Sequence, residues 1–569
     1  MTNEEHTMTN VERSPRTRST VTARTRAARV VALGAVALLV VACSSDDDNT
    51  SEESTTTMAS TSSTSTSATS AATQPTTTPA EDTGGDTIAS GATRAQVMAA
   101  LPQIDGLVES EMQRSEVPGI AVAVVHDDEV IFAEGYGVRE VGTQDQVSPE
   151  TVFQLASLSK PISATAVARL VSKDVIEWDE PVHSHAPDLV LSDPWVTDHV
   201  TFADLYSHRS GLPGQAGNAL ETIGFTRDEI LARLRYVPLD PFRDTYSYSN
   251  FGLTAAGDAA AKAAGVSFED LMDELFDLAG MTASSARYAD FEAQPDRATL
   301  HNIVDDEWVP GPTRNPDAQG PAGGISSSLN DVASWARLQL GAGTLDGVEI
   351  VGEEALAATH APHIMNRPAE TYDGQNGSYG LGWTVATDHL GQLRWAHSGA
   401  FSHGAHTSVT LLPESELGVV VLSNAMPVGS AEAITDQIID QIVVGEQTQD
   451  WAGVWSARYS NLFVADETLE ELPVPATPAL PDDAYVGSYA NDYYGTFEVI
   501  ADGDGLAVVQ GPTGAEFALT HWDANTFTWI SDPELPELRS RFEFTVDPDG
   551  RATAITIPAA AGLGTLQRV

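Results

Sequence analysis

The spacing of apolar residues changes several times along the chain. Ile104, Leu107, Val108 and Met112 recur at helical intervals and predict a helix at the start of the folded part, near Arg94. Two apolar runs follow, Ile120–Val125 and Val130–Ala133. The polar stretch His126-Asp-Asp-Glu129 between them predicts a hairpin. From Pro161 to about Leu340 the signals are mainly helical, with long loops. Strand patterns return at Gly382–Val385, Gly391–Trp395, Thr407–Leu412 and Leu417–Leu422, and Pro413-Glu-Ser-Glu416 turns the chain between the last two. A helix over Ala431–Val444 closes the unit, with Ile434, Ile438, Ile442 and Val443 on one stripe and Ser430 as its N-cap. Strands therefore stand at both ends of a helical insert. Hairpins between neighbouring strands predict an α+β fold with an antiparallel sheet flanked by helices, not a doubly wound one.

Glu467–Pro481 is rich in proline and acid and reads as a linker, bounded here as 464–484. Beyond it the pattern becomes short strands and turns: Thr496–Ile500, Leu506–Val509, Phe517–Leu519, Thr526–Ile530, Arg541–Val546 and Thr553–Ile557. This predicts a small all-β barrel or sandwich over 485–569, and no catalytic constellation stands in it.

The front of the chain has another character. Six arginines, Arg13 to Arg29, precede the apolar segment Val30–Val41, which is short for a membrane span. Val40-Val-Ala-Cys43 follows, and Cys43 is the single cysteine. Basic, apolar and small-residue zones in that order describe an export signal over 1–42. The small residues before Cys43 resemble a bacterial lipobox. Lipidation of Cys43 would hold the protein at the outer face of the cell membrane; an uncleaved signal anchor is the alternative. Met1 and Met8 both remain as starts. Between Thr50 and Pro79, 20 of 30 residues are Ser or Thr, so 43–96 is expected to be a disordered tether. The main folded block is then 97–463.

Composition narrows the function. With 42% apolar and 19% charged residues, the rest of the chain can build a core. The net charge of −52 repels phosphate backbones, which argues against nucleic acid as a partner. Only Lys160, Lys173 and Lys262 are lysines. An acidic, lysine-poor chain suits a salty medium, and an unfolding midpoint that fell with added salt would contradict that reading. One cysteine excludes an internal disulfide and a cysteine-based zinc site. Walker A, dinucleotide-binding, HExxH and GxSxG patterns are all missing from the sequence. The pairs His183/His185 and His403/His406 are ordinary loop spacings, and neither a metal nor a cofactor is expected.

Three pieces carry chemistry. Ser157-Leu-Ser-Lys160 places a hydroxyl and an amine three apart, on one helix face. Pro161 is tolerated only in a first turn, so Ser157 should sit at a helix N-terminus, where free N–H groups favour developing negative charge. A neutral, buried lysine can take the serine proton; arginine cannot. Tyr248-Ser-Asn250 offers a phenol to relay a proton and an amide to fix a substrate carbonyl or the lysine. His397-Ser398-Gly399-Ala400 ends a predicted strand whose glycine lets a substrate lie close. Each piece alone is also compatible with a purely structural role.

Together the three resemble the serine β-lactamase and penicillin-binding family, in its class C-like branch, which has Ser-x-x-Lys, Tyr-x-Asn and Lys/His-x-Gly in this order. Val117–Ile120, Asp204–Pro213, Pro321–Gly324, Tyr379–Trp383 and Ser423-Asn424 look similar too, and the resemblance covers roughly 97–445. The β module resembles an accessory domain appended to such hydrolases. The resemblance implies that Ser157 is acylated, that Lys160 is its base, and that Tyr248 shares this role and protonates the leaving group. Asn250 and the 397–400 segment would bind substrate, with the N–H groups of Ser157 and Ala400 as the oxyanion hole. His208 and Arg209 are read as structural. His397 stands where class C β-lactamases carry lysine, which favours D,D-carboxypeptidase, aminopeptidase or esterase chemistry on a small-molecule or peptide substrate over efficient penicillin hydrolysis. The rival is a catalytically inactive lipoprotein that binds penicillin or peptidoglycan.

Overall fold

In the computed structural model, the structure describes residues 91–369, 374–460, 469, 473–503, 505–530, 539–559 and 562–569. Cys43, the expected signal segment and nearly all of the expected tether lie outside them, as does part of the expected linker. Arg94–Gln96, placed in the tether by the sequence reading, form the first turn of helix α1 (Arg94–Ser115). A capping box at Thr93 fixes that start, and Val97, Ala100, Ile104 and Val108 form its buried stripe.

The main sheet has eight strands: β1 (Gly119–His126), β2 (Glu129–Gly137), β3 (Ile364–Arg367), β4 (Gly377–Tyr379), β5 (Thr384–Thr387), β6 (Leu393–Phe401), β7 (Ala405–Leu412) and β8 (Leu417–Ser423). Their order is β2-β1-β8-β7-β6-β5-β4-β3, every neighbour antiparallel. The β1–β2 turn has Asp127 and Asp128 at φ 55 and 56, the left-handed pair that a tight two-residue hairpin requires.

Strand β1 is buried along its whole length because both sheet faces are covered. Ile120, Val122 and Val124 face α1 and α5 (Ser430–Val443). Ala121, Ala123 and Val125 face the helical insert, which holds α2 (Ser159–Ser172), α3 (Asn250–Ala264) and α4 (Leu329–Leu340). The period-two alternation of side chains builds a three-layer unit.

A helix that the hydropathy pattern did not predict, α6 (Trp451–Ser460), follows α5. Its aromatic residues stand four apart, and so do three acids of α5. Trp451 Nε1 donates to Asp440 at 2.7 Å, Trp455 Nε1 to Asp436 at 2.8 Å, and the Tyr459 hydroxyl to Glu432 at 2.5 Å. Each carboxylate also meets the sheet side: His389 at 2.8 Å from Asp440, Arg394 at 2.6 Å from Asp436, and His406 at 2.8 Å from Glu432. Asp440 and Asp436 thus hold a hydrogen-bond partner on each side, which is what a buried carboxylate needs, while Glu432 holds Tyr459 and faces the His406 ring at ion-pair distance.

The C-terminal module is a closed barrel of β9 (Gly487–Asn491), β10 (Gly495–Asp502), β11 (Gly505–Gln510), β12 (Ala515–Asp523), β13 (Thr526–Trp529), β14 (Ser540–Val546), β15 (Ala552–Thr556) and β16 (Thr565–Arg568). Pairing of β9 with β16 closes it and leaves no open edge. It rests on the helical insert. The Gly217 N–H donates to the Tyr493 hydroxyl at 2.8 Å, and a Cβ at Gly511 would lie 2.0 Å from the Ile223 carbonyl oxygen.

Candidate active site

Ser157 lies in a single 3-10 turn, Ala156–Leu158, that runs directly into α2. Ala156, just before it, has φ 48, a left-handed conformation that costs a residue with a Cβ about 1–2 kcal/mol. Packing over-determines that bend: Ala156 is fully buried among Leu300, Phe401 and Ala405. Pro161 sits in the first turn of α2, where its missing N–H leaves no bond unmade.

One turn on, Lys160 is 0% exposed. Its Nζ is 3.0 Å from Ser157 Oγ, 2.8 Å from Asn250 Oδ1 and 2.8 Å from the Ala322 carbonyl oxygen. Burial holds its pKa well below the ordinary lysine value. The partners explain what a neutral amine does here. Asn250 Oδ1 and the Ala322 carbonyl only accept, so they take the two N–H bonds of a neutral amine. The lone pair is left for the Ser157 hydroxyl proton.

Asn250 is the first residue of α3, which Ser249 caps through Gly252 N–H at 3.1 Å. The ring centroid of Tyr248 lies 4.6 Å from Lys160 Nζ. Its phenol is buried and raised in pKa by burial, with Ser157 acting in the opposite sense. A phenol kept protonated beside the nucleophile can donate to a leaving group.

Strand β6 runs alongside. Strand β5 pairs only with Leu393–Ala396, so the β6 edge is open from His397 onward among the described residues. A Cβ on Gly399 would lie 2.1 Å from the Leu155 carbonyl oxygen and 2.8 Å from Leu158 N, so only glycine lets the strand lie against the nucleophile turn. Ala400 follows, buried at the same turn.

His397 Nδ1 is 2.7 Å from the Ser398 carbonyl, which only accepts, so Nδ1 carries the hydrogen. Nε2 then accepts from the Tyr379 hydroxyl at 2.9 Å. Burial lowers its pKa to about 3. The ring is a neutral dipole there, not a cation. Ser398, expected to bind substrate with its neighbours, turns the other way. Its hydroxyl acts on Glu432 and Tyr459, off the face that holds Ser157.

Two residues near the site were not assigned chemistry from sequence. The His208 ring lies tilted against those of Tyr248 and Tyr379, with centroids 4.4 and 4.9 Å away, and its Nδ1 accepts the Ser249 N–H at 3.1 Å. It thereby fixes the Tyr248–Asn250 corner, and burial keeps it neutral. Its position after Ser207 gives no periodic signal. Tyr379 belongs to a stretch noted for likeness alone; its role needs the sheet register to be visible. Arg209 is structural, bound to the buried Asp204 at 2.8 Å. His183 and His185 lie away from the catalytic groups, with His185 on Glu180 at 2.8 Å. Among the described residues no group of three or more His, Cys, Asp or Glu is placed to hold a metal ion.

The chain is similar to known proteins over most of its length. A family model described as Beta-lactamase matches residues 104–443, and one described as a domain of unknown function, DUF3471, matches 471–565. The chain is 26% identical over 523 residues to the unguisins hydrolase ungD of Aspergillus violaceofuscus, covering 82% of this chain and 90% of that one. It is 29% identical over 322 residues to penicillin-binding protein 4 of Amycolatopsis lactamdurans, covering 54% and 81%. Its fold is like that of the octameric penicillin-binding protein homologue from Pyrococcus abyssi, with a TM-score of 0.53 at 21% identity over 82% of this chain and 99% of that one. A match of this extent, on a fold with Ser157, Lys160, Tyr248 and Asn250 gathered at one point, makes the chain a member of the serine β-lactamase and penicillin-binding protein family.

Proposed function

We propose that the protein is an exported serine hydrolase, anchored through a lipid on Cys43, that cleaves an ester or amide bond by way of an acyl-enzyme on Ser157. The observation that carries the chemistry is the buried Lys160 amine 3.0 Å from Ser157 Oγ, with its other two bonds made to acceptors. In the reaction, Ser157 Oγ attacks the substrate carbonyl while its proton passes to Lys160 Nζ. Negative charge on the carbonyl oxygen meets the backbone N–H groups of Ser157 and Ala400. As the intermediate collapses, the bond to the leaving group breaks and Tyr248 supplies its proton, drawn in turn from Lys160. Water then attacks the ester carbonyl, and its proton returns through the same groups as Ser157 is released. Relatives bear hydrolase and penicillin-binding names, which supports the class of reaction.

Neutral His397 favours an ester or peptide without a carboxylate beside the scissile bond over a penicillin. A substrate carboxylate would find no fixed positive charge at that position. A fluorophosphonate probe should label the wild-type protein and not Ser157→Ala; equal labelling of both would end the proposal. Parallel assays on a D-Ala-D-Ala peptide, a short p-nitrophenyl ester and a chromogenic cephalosporin then rank the substrates, with the cephalosporin expected last. Metabolic labelling with a radioactive fatty acid, lost in Cys43→Ser, tests the anchor.

A further inference from the structure

Helix α6 does not lie flat on the sheet. Between them is a cavity of about 410 Å³, within the size range of sites that hold small organic ligands. Its near end is formed by Tyr248, His397 and Ser398, at the open edge of β6. Its floor is the face of β5 and β6 turned away from Ser157, the one that carries Ser398 and Arg394, where small residues such as Ala386 and Ala396 stand in place of bulky ones; it meets the catalytic side at Tyr248 and His397, past the open edge of β6. Its far wall is α6, with Trp451, Val454 and Trp455. The acids behind those indoles are already paired on both sides, so α6 meets a ligand through the two indoles, Val454 and Tyr459, with Arg458 laid over the Trp455 ring.

We propose that this cavity is the subsite for the leaving-group half of the substrate, and that it selects a large apolar or aromatic group on that side of the scissile bond. This rests on the acyl-enzyme reading above. Tyr248 hands its proton to the leaving group, and the cavity opens at Tyr248; the acyl half, held at Ser157 and Ala400, lies on the other side of that proton. Ser398, whose hydroxyl turns away from the catalytic face, borders this entrance. Its position is then that of a side chain beside the departing group.

The test uses the full-length protein and two series of uncharged esters, followed by acid release. In one series the acyl group is acetyl and the alcohol grows from ethanol to 2-phenylethanol and 3-phenylpropanol, all primary alcohols of similar acidity. In the other the alcohol is ethanol and the acid grows from acetate to 3-phenylpropanoate. kcat/KM should rise about 10- to 100-fold along the first series and far less along the second. Ala386→Leu fills the floor and Val454→Trp fills the wall. Either should abolish the rise and leave ethyl acetate turnover unchanged. A second readout needs no turnover: calorimetry should show 3-phenylpropanol binding to Ser157→Ala and not to Ser157→Ala with Ala386→Leu. A flat alcohol series, a rise confined to the acyl series, or alcohol binding that survives Ala386→Leu would overturn the subsite while Ser157-dependent hydrolysis of ethyl acetate stood. Alcohol binding lost in Ala386→Leu, with no Ser157-dependent turnover at all, would uphold the cavity as a binding site and overturn the acyl-enzyme reading.

Discussion

Replacing Lys160 by methionine separates the chemistry of the amine from its bonds. Burial lowers the lysine pKa in the folded state, so between that lowered value and the ordinary 10.5 the unfolded chain binds one proton more than the native one. Native stability then rises with pH, by about 1.4 kcal/mol per pH unit for each such proton, and the gain is lost as pH falls. Methionine keeps the length and removes the proton. It also strips Asn250 Oδ1 and the Ala322 carbonyl of a donor, at about 1–3 kcal/mol each, but that loss does not change with pH. Denaturant unfolding of both proteins should be measured from pH 7.5 to 9.5, above the range where buried histidines titrate. The stability difference, wild type minus Lys160→Met, should grow with pH, approaching about 1.4 kcal/mol per pH unit wherever the native amine is already neutral and the unfolded one is not. Over the same range kcat/KM of the variant should fall about 10²- to 10⁴-fold. Parallel stability curves would mean that Lys160 keeps its proton in the fold. A lysine that does so cannot act as the base.

Other expectations follow from the same coordinates. Gly399→Ala drives a Cβ onto the Leu155 carbonyl at 2.1 Å, and moving the nucleophile turn should lower kcat/KM about 100-fold, measured on whichever ester proves best. Trp455→Phe removes one donor from Asp436 and should lower the unfolding free energy by about 1.5–3 kcal/mol in a denaturant titration; no change would remove the ladder's claim on stability. His397→Lys puts an ammonium where a neutral ring now stands. It should raise kcat/KM for a carboxylate-bearing cephalosporin relative to an uncharged ester, and an unchanged ratio would show that charge at this position does not select substrate. Activity should show no inflection from His397 between pH 5 and 8, since its folded pKa is about 3.

Much of the sheet and of the cluster around Lys160 was legible in the sequence because each part leaves a local mark. Short apolar runs bounded by polar turns mark β1, β2, β7 and β8, and the three spaced motifs mark the residues that meet at Lys160. What escaped depends on contacts distant in sequence. Strands β9 and β16, Gly487–Asn491 and Thr565–Arg568, are short and polar, and only their mutual pairing closes the barrel. The direction of Ser398 follows from strand alternation against a partner helix that was not foreseen. Helix α6 carries too little apolar contrast to stand out. Its signal was instead Trp451, Trp455 and Tyr459 at four-residue steps, opposite Glu432, Asp436 and Asp440 at the same steps. His208 gave no pattern at all; a φ of 60 and a bond to the Ser249 amide define its part.

The ladder also settles where the hydrolase unit can be cut. A chain ended after α5 would retain Ser157, Lys160, Tyr248 and Asn250, yet it would strand three carboxylates that have lost their indole or phenol donors and their cover. Such a fragment would swell at the helix it still owns, Ser430–Val443, and the disturbance would reach the catalytic strand through Arg394 and His406. The smallest self-sufficient piece therefore extends at least to Ser460.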